Sequence, residues 1–320
     1  MSIEKTNKVS VIDPVGLAIE RAKEMLFRPF DWRKWFVIGF CAWLAYLGGN
    51  SGGGPGGPNN LESVKKPHEH QAEIVKGIHA AKEYVLENLF WIVPVSIIVT
   101  VIIIGISLLI TWLNSRGKFM FLHCVATNKA EIAVPWNKFR ERANSLFVFR
   151  IVLYIIGLFA VALPGLGMTF FIIVTVTGSM PLIASIPGIV ISGLFAFVIL
   201  IGFFLVRKFT FDFVVPIMFL RTTSCMAGWH EFMTIFSGNK ARLALYILFQ
   251  IVIAIAIQTI IVIIFCIGCC FCCTGLLLFV PYIGTVILLP LLVFKRSYSL
   301  YYLRQFGPDF DVFLPENETG

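Results

Sequence analysis

Charge is scarce in this chain. Only 14% of its 320 residues are Asp, Glu, Lys or Arg, against 58% hydrophobic, whereas soluble domains run near about 25% and about 45–50%. Such a composition excludes an ordinary water-soluble globule and points to lipid as the main solvent. Catalytic signatures are missing as well. There is no Gly-x-Ser-x-Gly elbow, no His-Glu-x-x-His, and no pair of carboxylates placed for acid–base work. Inside the apolar runs the one charged side chain is Arg150, close enough to the end of its run to snorkel to the headgroups. The excess charge of +8 sits at the ends of apolar runs instead of forming a stripe, which argues against nucleic acid as a partner. No enzymatic activity and no cofactor are expected.

What the chain has in abundance is long apolar runs. A transmembrane helix needs ~20 mainly apolar residues, and 89–113, 146–163, 189–206, 243–267 and 274–294 qualify. Backbone groups cannot stay unpaired in lipid, so runs of this length are expected to be helical despite their β-branched residues. A sixth, shorter run at 35–47 is decided by charge. Of 26 Lys and Arg, seven precede Trp35, six lie in 114–144, five in 207–242 and three after Phe294; only four, outweighed by five Glu, fall in 49–88. The positive-inside rule then places the first four regions in the cytoplasm and 49–88 outside, which requires 35–47 to cross. The expected fold is an all-α, polytopic transmembrane bundle of six spans in the cytoplasmic membrane, with both termini cytoplasmic.

The spans repeat as three helical hairpins with amphipathic cytoplasmic segments. A Trp-x-x-aromatic step precedes each outward helix: Trp32 to Trp35, Trp136 to Phe139, and Trp229 to Phe232. Trp32, Trp136 and Trp229 are therefore expected as interface anchors at headgroup depth. Each inward helix ends in a basic exit followed by an aromatic, Arg116-Gly117-Lys118-Phe119, Arg207-Lys208-Phe209 and Lys295-Arg296-Ser297-Tyr298. Topology is reason enough for these charges. The organisation reads as a cytoplasmic segment 1–34, a first hairpin 35–113 with an external Gly-rich tether and amphipathic helix, a second unit 114–206, a third 207–294, and a cytoplasmic tail 295–320. Within the second unit, 164–188 is broken by Pro164, Pro181 and Pro187 and is expected to be an external or re-entrant piece. Gln250 and Gln258 are expected to hydrogen-bond between helices.

Five of eight cysteines, Cys266, Cys269, Cys270, Cys272 and Cys273, crowd the turn expected between spans five and six. Cys-x-x-Cys spacing makes a thiolate metal site sterically conceivable, but no Lys, Arg or His stands nearby to lower the thiol pKa values. Compact apolar packing with one disulfide is the favoured reading, ahead of lipid or metal attachment and of redox catalysis.

The stretches PYIGTVILLPLLVFKRSYSLYYLRQFGPDFDVF (281–313) and DFVVPIMF (212–219) resemble a family of uncharacterised prokaryotic six-helix membrane proteins. That family is similar to the membrane domain fused to some glycerophosphoryl diester phosphodiesterases. The resemblance covers most of the chain from Trp32 to Phe313 and implies an architecture without an established activity. The expected role is a non-catalytic membrane scaffold or lipid-interacting partner, with membrane lipids and other membrane proteins as candidate partners. The alternative is a transporter or channel for an apolar or lipidic substrate, using 164–188 and the Pro281–Pro290 stretch as discontinuous helices.

Overall fold

The computed structural model describes residues 9–48, 87–178, 181–270 and 280–313. Every regular element among them is helical: α1 (Asp13–Phe27), α2 (Trp32–Tyr46), α3 (Leu89–Thr127), α4 (Ala133–Lys138), α5 (Arg140–Val176), α6 (Leu182–Phe209), α7 (Val215–Arg221), α8 (Cys225–Gly238), α9 (Lys240–Cys270), α10 (Pro281–Ile287) and α11 (Leu289–Arg304). A π-helical turn, Thr210–Val214, joins α6 to α7. The chain divides into two compact units, residues 1–53 with 112–320, and residues 54–111. In the smaller unit, the described residues include the first part of α3, apolar and without a charged side chain from Leu89 to Thr111.

Among the described residues, four helical stretches are long and apolar enough to cross a membrane: α3, α5, α6 continued through α7, and α9. The pair α10 and α11, bent by 67° at Leu288, makes up to five if counted as one broken span. The break has a local cause, since Pro290 in the first turn of α11 brings no N–H to continue the α10 ladder. At 15 residues α2 is not among these stretches; it extends about 22 Å, short of the ~30 Å hydrocarbon layer.

Residues 164–176 and 182–188 do not form a separate element. Pro164 lies inside α5 and Pro187 inside α6, and the two helices pack as a hairpin. Gly188 allows their close approach: a Cβ there would lie 2.5 Å from the Phe171 ring. The outward faces of this hairpin stay apolar and exposed, as at Leu158, Phe159 and Ile191. Water would not tolerate a continuous apolar surface of that extent.

The core of the larger unit lies where the helices carry their basic ends. It gathers Met25 and Leu26 of α1, Ile38 and Cys41 of α2, Phe119 to Leu122 of α3, Val214 and Met218 beyond α6, Phe232 of α8, and Tyr298 and Tyr302 of α11. Polar contacts fasten its periphery. Arg21 donates to the carbonyls of Val125 and Ala126 at 2.9 and 2.8 Å, covering the electronegative end of α3. Asn128 follows in the left-handed conformation with φ 60° and accepts from Lys34 Nζ at 2.9 Å. Ser10 and Gln305 exchange two hydrogen bonds that tie the start of α1 to the end of α11.

Helix α2 runs antiparallel to the second half of α3. Its last carbonyls, those of Leu44, Ala45 and Leu47, accept from Asn114 Nδ2 at 3.2, 2.6 and 2.9 Å. One side chain thus caps the end of a neighbouring helix that has no basic residue in its own last turn.

Candidate functional site

The three basic exits, far apart in sequence, converge. Lys118 of α3 lies with its Nζ 4.9 Å from the Phe211 ring centroid, and the Arg296 guanidinium of α11 lies 4.6 Å from the same centroid. The second exit supplies Lys208, whose Nζ sits 2.7 Å from Asp212 Oδ2. Arg150, Arg207 and Arg296 all lie within electrostatic reach of Lys118, and Lys295 within reach of Lys208 and Asp212. Lys118, Lys208, Lys295 and Arg296 thus share Asp212 as their neighbouring carboxylate, and Arg150 and Arg207 adjoin the group through Lys118.

The π turn places that carboxylate. One extra residue in the turn swings the backbone out of the α-helical register, so Phe211 and Asp212 project between neighbouring helices. Asp212 is 3% exposed. It accepts a hydrogen bond from the Tyr246 hydroxyl at 2.9 Å, which in turn accepts from Gln250 Nε2 at 2.9 Å, while Lys208 Nζ also donates to Gln250 Oε1 at 3.3 Å. The ring Lys208–Asp212–Tyr246–Gln250 is closed and well satisfied. Gln250 thus does join two helices, as expected of it.

The cationic flank is less satisfied. Arg296 is 1% exposed and donates from Nη1 to the Phe211 carbonyl at 2.7 Å, but its Nε and Nη2 are buried without a partner, as is the Tyr46 hydroxyl. A buried guanidinium is costly unless its donors are met. Closer to the surface, Arg150 donates to Asn114 Oδ1 at 2.6 Å and to Ser115 Oγ at 3.2 Å. Chemically this arrangement offers an excess of donors and positive charge to an anion; a nucleophile paired with a general base is not part of it.

The expected anchors occupy unlike places. Trp32 is 66% exposed, Trp136 is half-buried beneath the Arg116 guanidinium at 4.6 Å, and Trp229 is 8% exposed against Phe149 and Phe232. What the three steps share is the aromatic three residues on, for Trp35, Phe139 and Phe232 all pack into the core. In the cysteine cluster, α9 continues to Cys270, so Cys269 and Cys270 belong to its last turn and not to a loop; Cys266 is an exposed free thiol on the same helix. Cys272 and Cys273 lie outside the described residues, as does the Gly-rich tether beyond Gly48. Among the described residues no three His, Cys, Asp or Glu come together as a metal set. Burial pushes the Cys225 thiol up to about 12, so it is a thiol and not a thiolate at neutral pH.

Sequence reading did not single out Asp212, and it took Arg296 only as a topological charge at a helix exit. A signal for the first was present: Asp212 is the only carboxylate between Glu141 and Glu231, and a lone acid inside an apolar stretch is costly enough to need a partner.

These features define an all-α protein whose apolar helices suit a membrane and whose cationic cluster lies at their basic ends. The chain belongs to a family of unknown function, DUF7544, whose pattern matches residues 9–281. That family assignment carries no activity and no link to the phosphodiesterase-fused domains. No curated protein and no solved structure matches the chain.

Proposed function

We propose that this protein is a non-catalytic, multi-pass protein of the cytoplasmic membrane that engages anionic lipids and acts as a membrane scaffold or lipid-interacting partner. The observation that carries the reading is the convergence of Arg150, Arg207 and Arg296 on Lys118, with Asp212 as the carboxylate in reach of Lys118. Anionic lipid phosphate is the ligand that a membrane supplies at that depth, and charge-assisted bonds to it are stronger than neutral ones. Membrane lipids, with other membrane proteins, are the partners; nucleic acid is not.

The topology goes with this reading: three hairpins, the basic segments and both termini cytoplasmic, 49–88 outside. Impermeant thiol reagent applied from outside should label a single cysteine at position 60 and spare one at 128. The opposite pattern would sink the six-span arrangement.

The lipid reading is tested in nanodiscs of phosphatidylcholine alone or with a fifth of phosphatidylglycerol. The anionic lipid should raise the unfolding midpoint, and Lys118→Gln with Arg150→Gln should remove most of that rise. Equal midpoints in the two lipids for the parent chain would refute it. A second reading, transport of an apolar or lipidic substrate, is favoured by the 67° bend between α10 and α11, since broken helices recur at transporter sites. Net movement of a labelled lipid across vesicles holding the protein would select it.

A further inference from the structure

Away from the cationic cluster, a cavity of about 570 Å³ lies where the start of α5 meets the turn between α7 and α8. Lys138, Arg140 and Arg142 line it, with Glu141 as the one carboxylate. Neither Arg140 nor Arg142 forms an ion pair among the described residues. The balance of charge in the lining is therefore positive.

The neutral part of the lining is just as one-sided. Ser145 Oγ accepts from the Cys225 amide at 3.0 Å, and Ser224 Oγ accepts from the Ala227 amide at 3.5 Å. A hydroxyl that accepts from an N–H keeps its own proton to donate. Thr223 Oγ1 is buried with no hydrogen-bond partner, and its side chain lines the same cavity. The 14-residue α8 begins here and adds the positive end of its dipole. Since two amides of its first turn are already taken by serine hydroxyls, side chains and not the helix end supply the contacts.

Three hydroxyl donors and three cations call for an oxyanion with several acceptor oxygens arranged in three dimensions. A planar carboxylate offers too few; a phosphate offers enough, and the volume leaves room for what the phosphate is attached to. We propose that this cavity binds the phosphate of an organic phosphate, from a phospholipid headgroup or a free phosphate ester, with Arg140 and Arg142 neutralising it and Ser145, Thr223 and Ser224 donating to its oxygens. The site shares no residue with the Lys118 cluster.

The full chain in uncharged detergent is titrated with glycerol 3-phosphate at constant ionic strength, following the unfolding midpoint; in parallel it is placed in phosphatidylcholine nanodiscs with and without phosphatidic acid. A saturable rise is expected in one arm or both. A response to glycerol 3-phosphate alone assigns a soluble ester, and a response to phosphatidic acid alone assigns a lipid headgroup. Arg142→Gln and Ser145→Ala should each weaken the apparent affinity roughly tenfold, and Arg142→Lys should recover part of it. Glu141→Gln should strengthen binding by removing a repelling charge, a gain that misfolding cannot imitate. Lys118→Gln should leave the glycerol 3-phosphate response unchanged, and in the phosphatidic acid arm the part of the rise that survives Lys118→Gln with Arg150→Gln and is lost in Arg142→Gln belongs to this cavity. No rise with either probe, or cavity variants that respond as the parent does, would overturn the proposal.

Discussion

Asp212→Asn is expected to destabilise the protein by about 3 kcal/mol, the low end for removing one partner of a buried ion pair. The exchange keeps the side chain's shape and leaves an oxygen for the Tyr246 hydroxyl. What it removes is the charge that Lys208 holds at 2.7 Å and that offsets Arg296, 1% exposed beside it. Lys208 is 18% exposed at its side chain, so it can partly reach solvent, and this places the cost below the top of the range. In a thermal melt the midpoint should fall by on the order of 5–10 °C. Lys208→Met combined with Asp212→Asn should recover part of the loss, because removing both charges is cheaper than orphaning one. A single variant that melts with the parent chain would show that the carboxylate is not the keystone of this cluster.

Gly117→Ala is the second large effect. A Cβ at position 117 would lie 2.4 Å from the carbonyl carbon of Leu44 and 2.5 Å from the amide nitrogen of Ala45. Both are backbone atoms and cannot rotate aside. Alanine ordinarily favours a helix over glycine by about 1 kcal/mol, yet here α2 must move away from α3. That movement also pulls its last carbonyls from Asn114, so a net loss of about 2–3 kcal/mol is expected. Limited proteolysis should show new cleavage near α2. Gly202→Ala provides the contrast: nothing lies within 4 Å of its added methyl, so helix propensity should leave that variant unchanged or slightly more stable. Equal behaviour of the two variants would contradict the close α2–α3 contact.

The reason for these two sensitivities is the same. Both residues sit where α2, α3, the π turn and α11 meet, and there the packing is protein against protein. On the outward faces of α5, α6 and α9 a substitution of one apolar residue for another disturbs little packing within the protein, so much smaller effects follow. Stability in this molecule is thus concentrated at its basic end.

Much of the architecture was legible in the chain because its cause is local. An apolar run such as 89–113 must satisfy its own backbone, and only a helix does so within a single segment. The positions of α3, α5, α6 and α9 follow from that requirement, and the basic exits at Lys118, Lys208 and Arg296 follow from where the apolar runs stop. Proline was a poorer guide. Pro164 and Pro187 suggested breaks, but each costs one hydrogen bond in a long helix whose other bonds and hairpin partner hold it together. Nor did the tryptophan repeat foretell environment, since burial of Trp229 and exposure of Trp32 depend on which neighbours arrive.

What only the tertiary structure decided is where the exits meet. Charges at the ends of three helices look topological one by one, and nothing in their spacing says that Lys118 and Arg296 will flank the same phenyl ring. Their convergence comes from α3 and α11 both meeting the π turn that follows α6 at Phe211, a turn that adds one residue and so turns Asp212 toward Lys208 and Tyr246. Helix formation is dictated within the segment; the meeting of side chains depends on distances between segments, which only the assembled bundle sets.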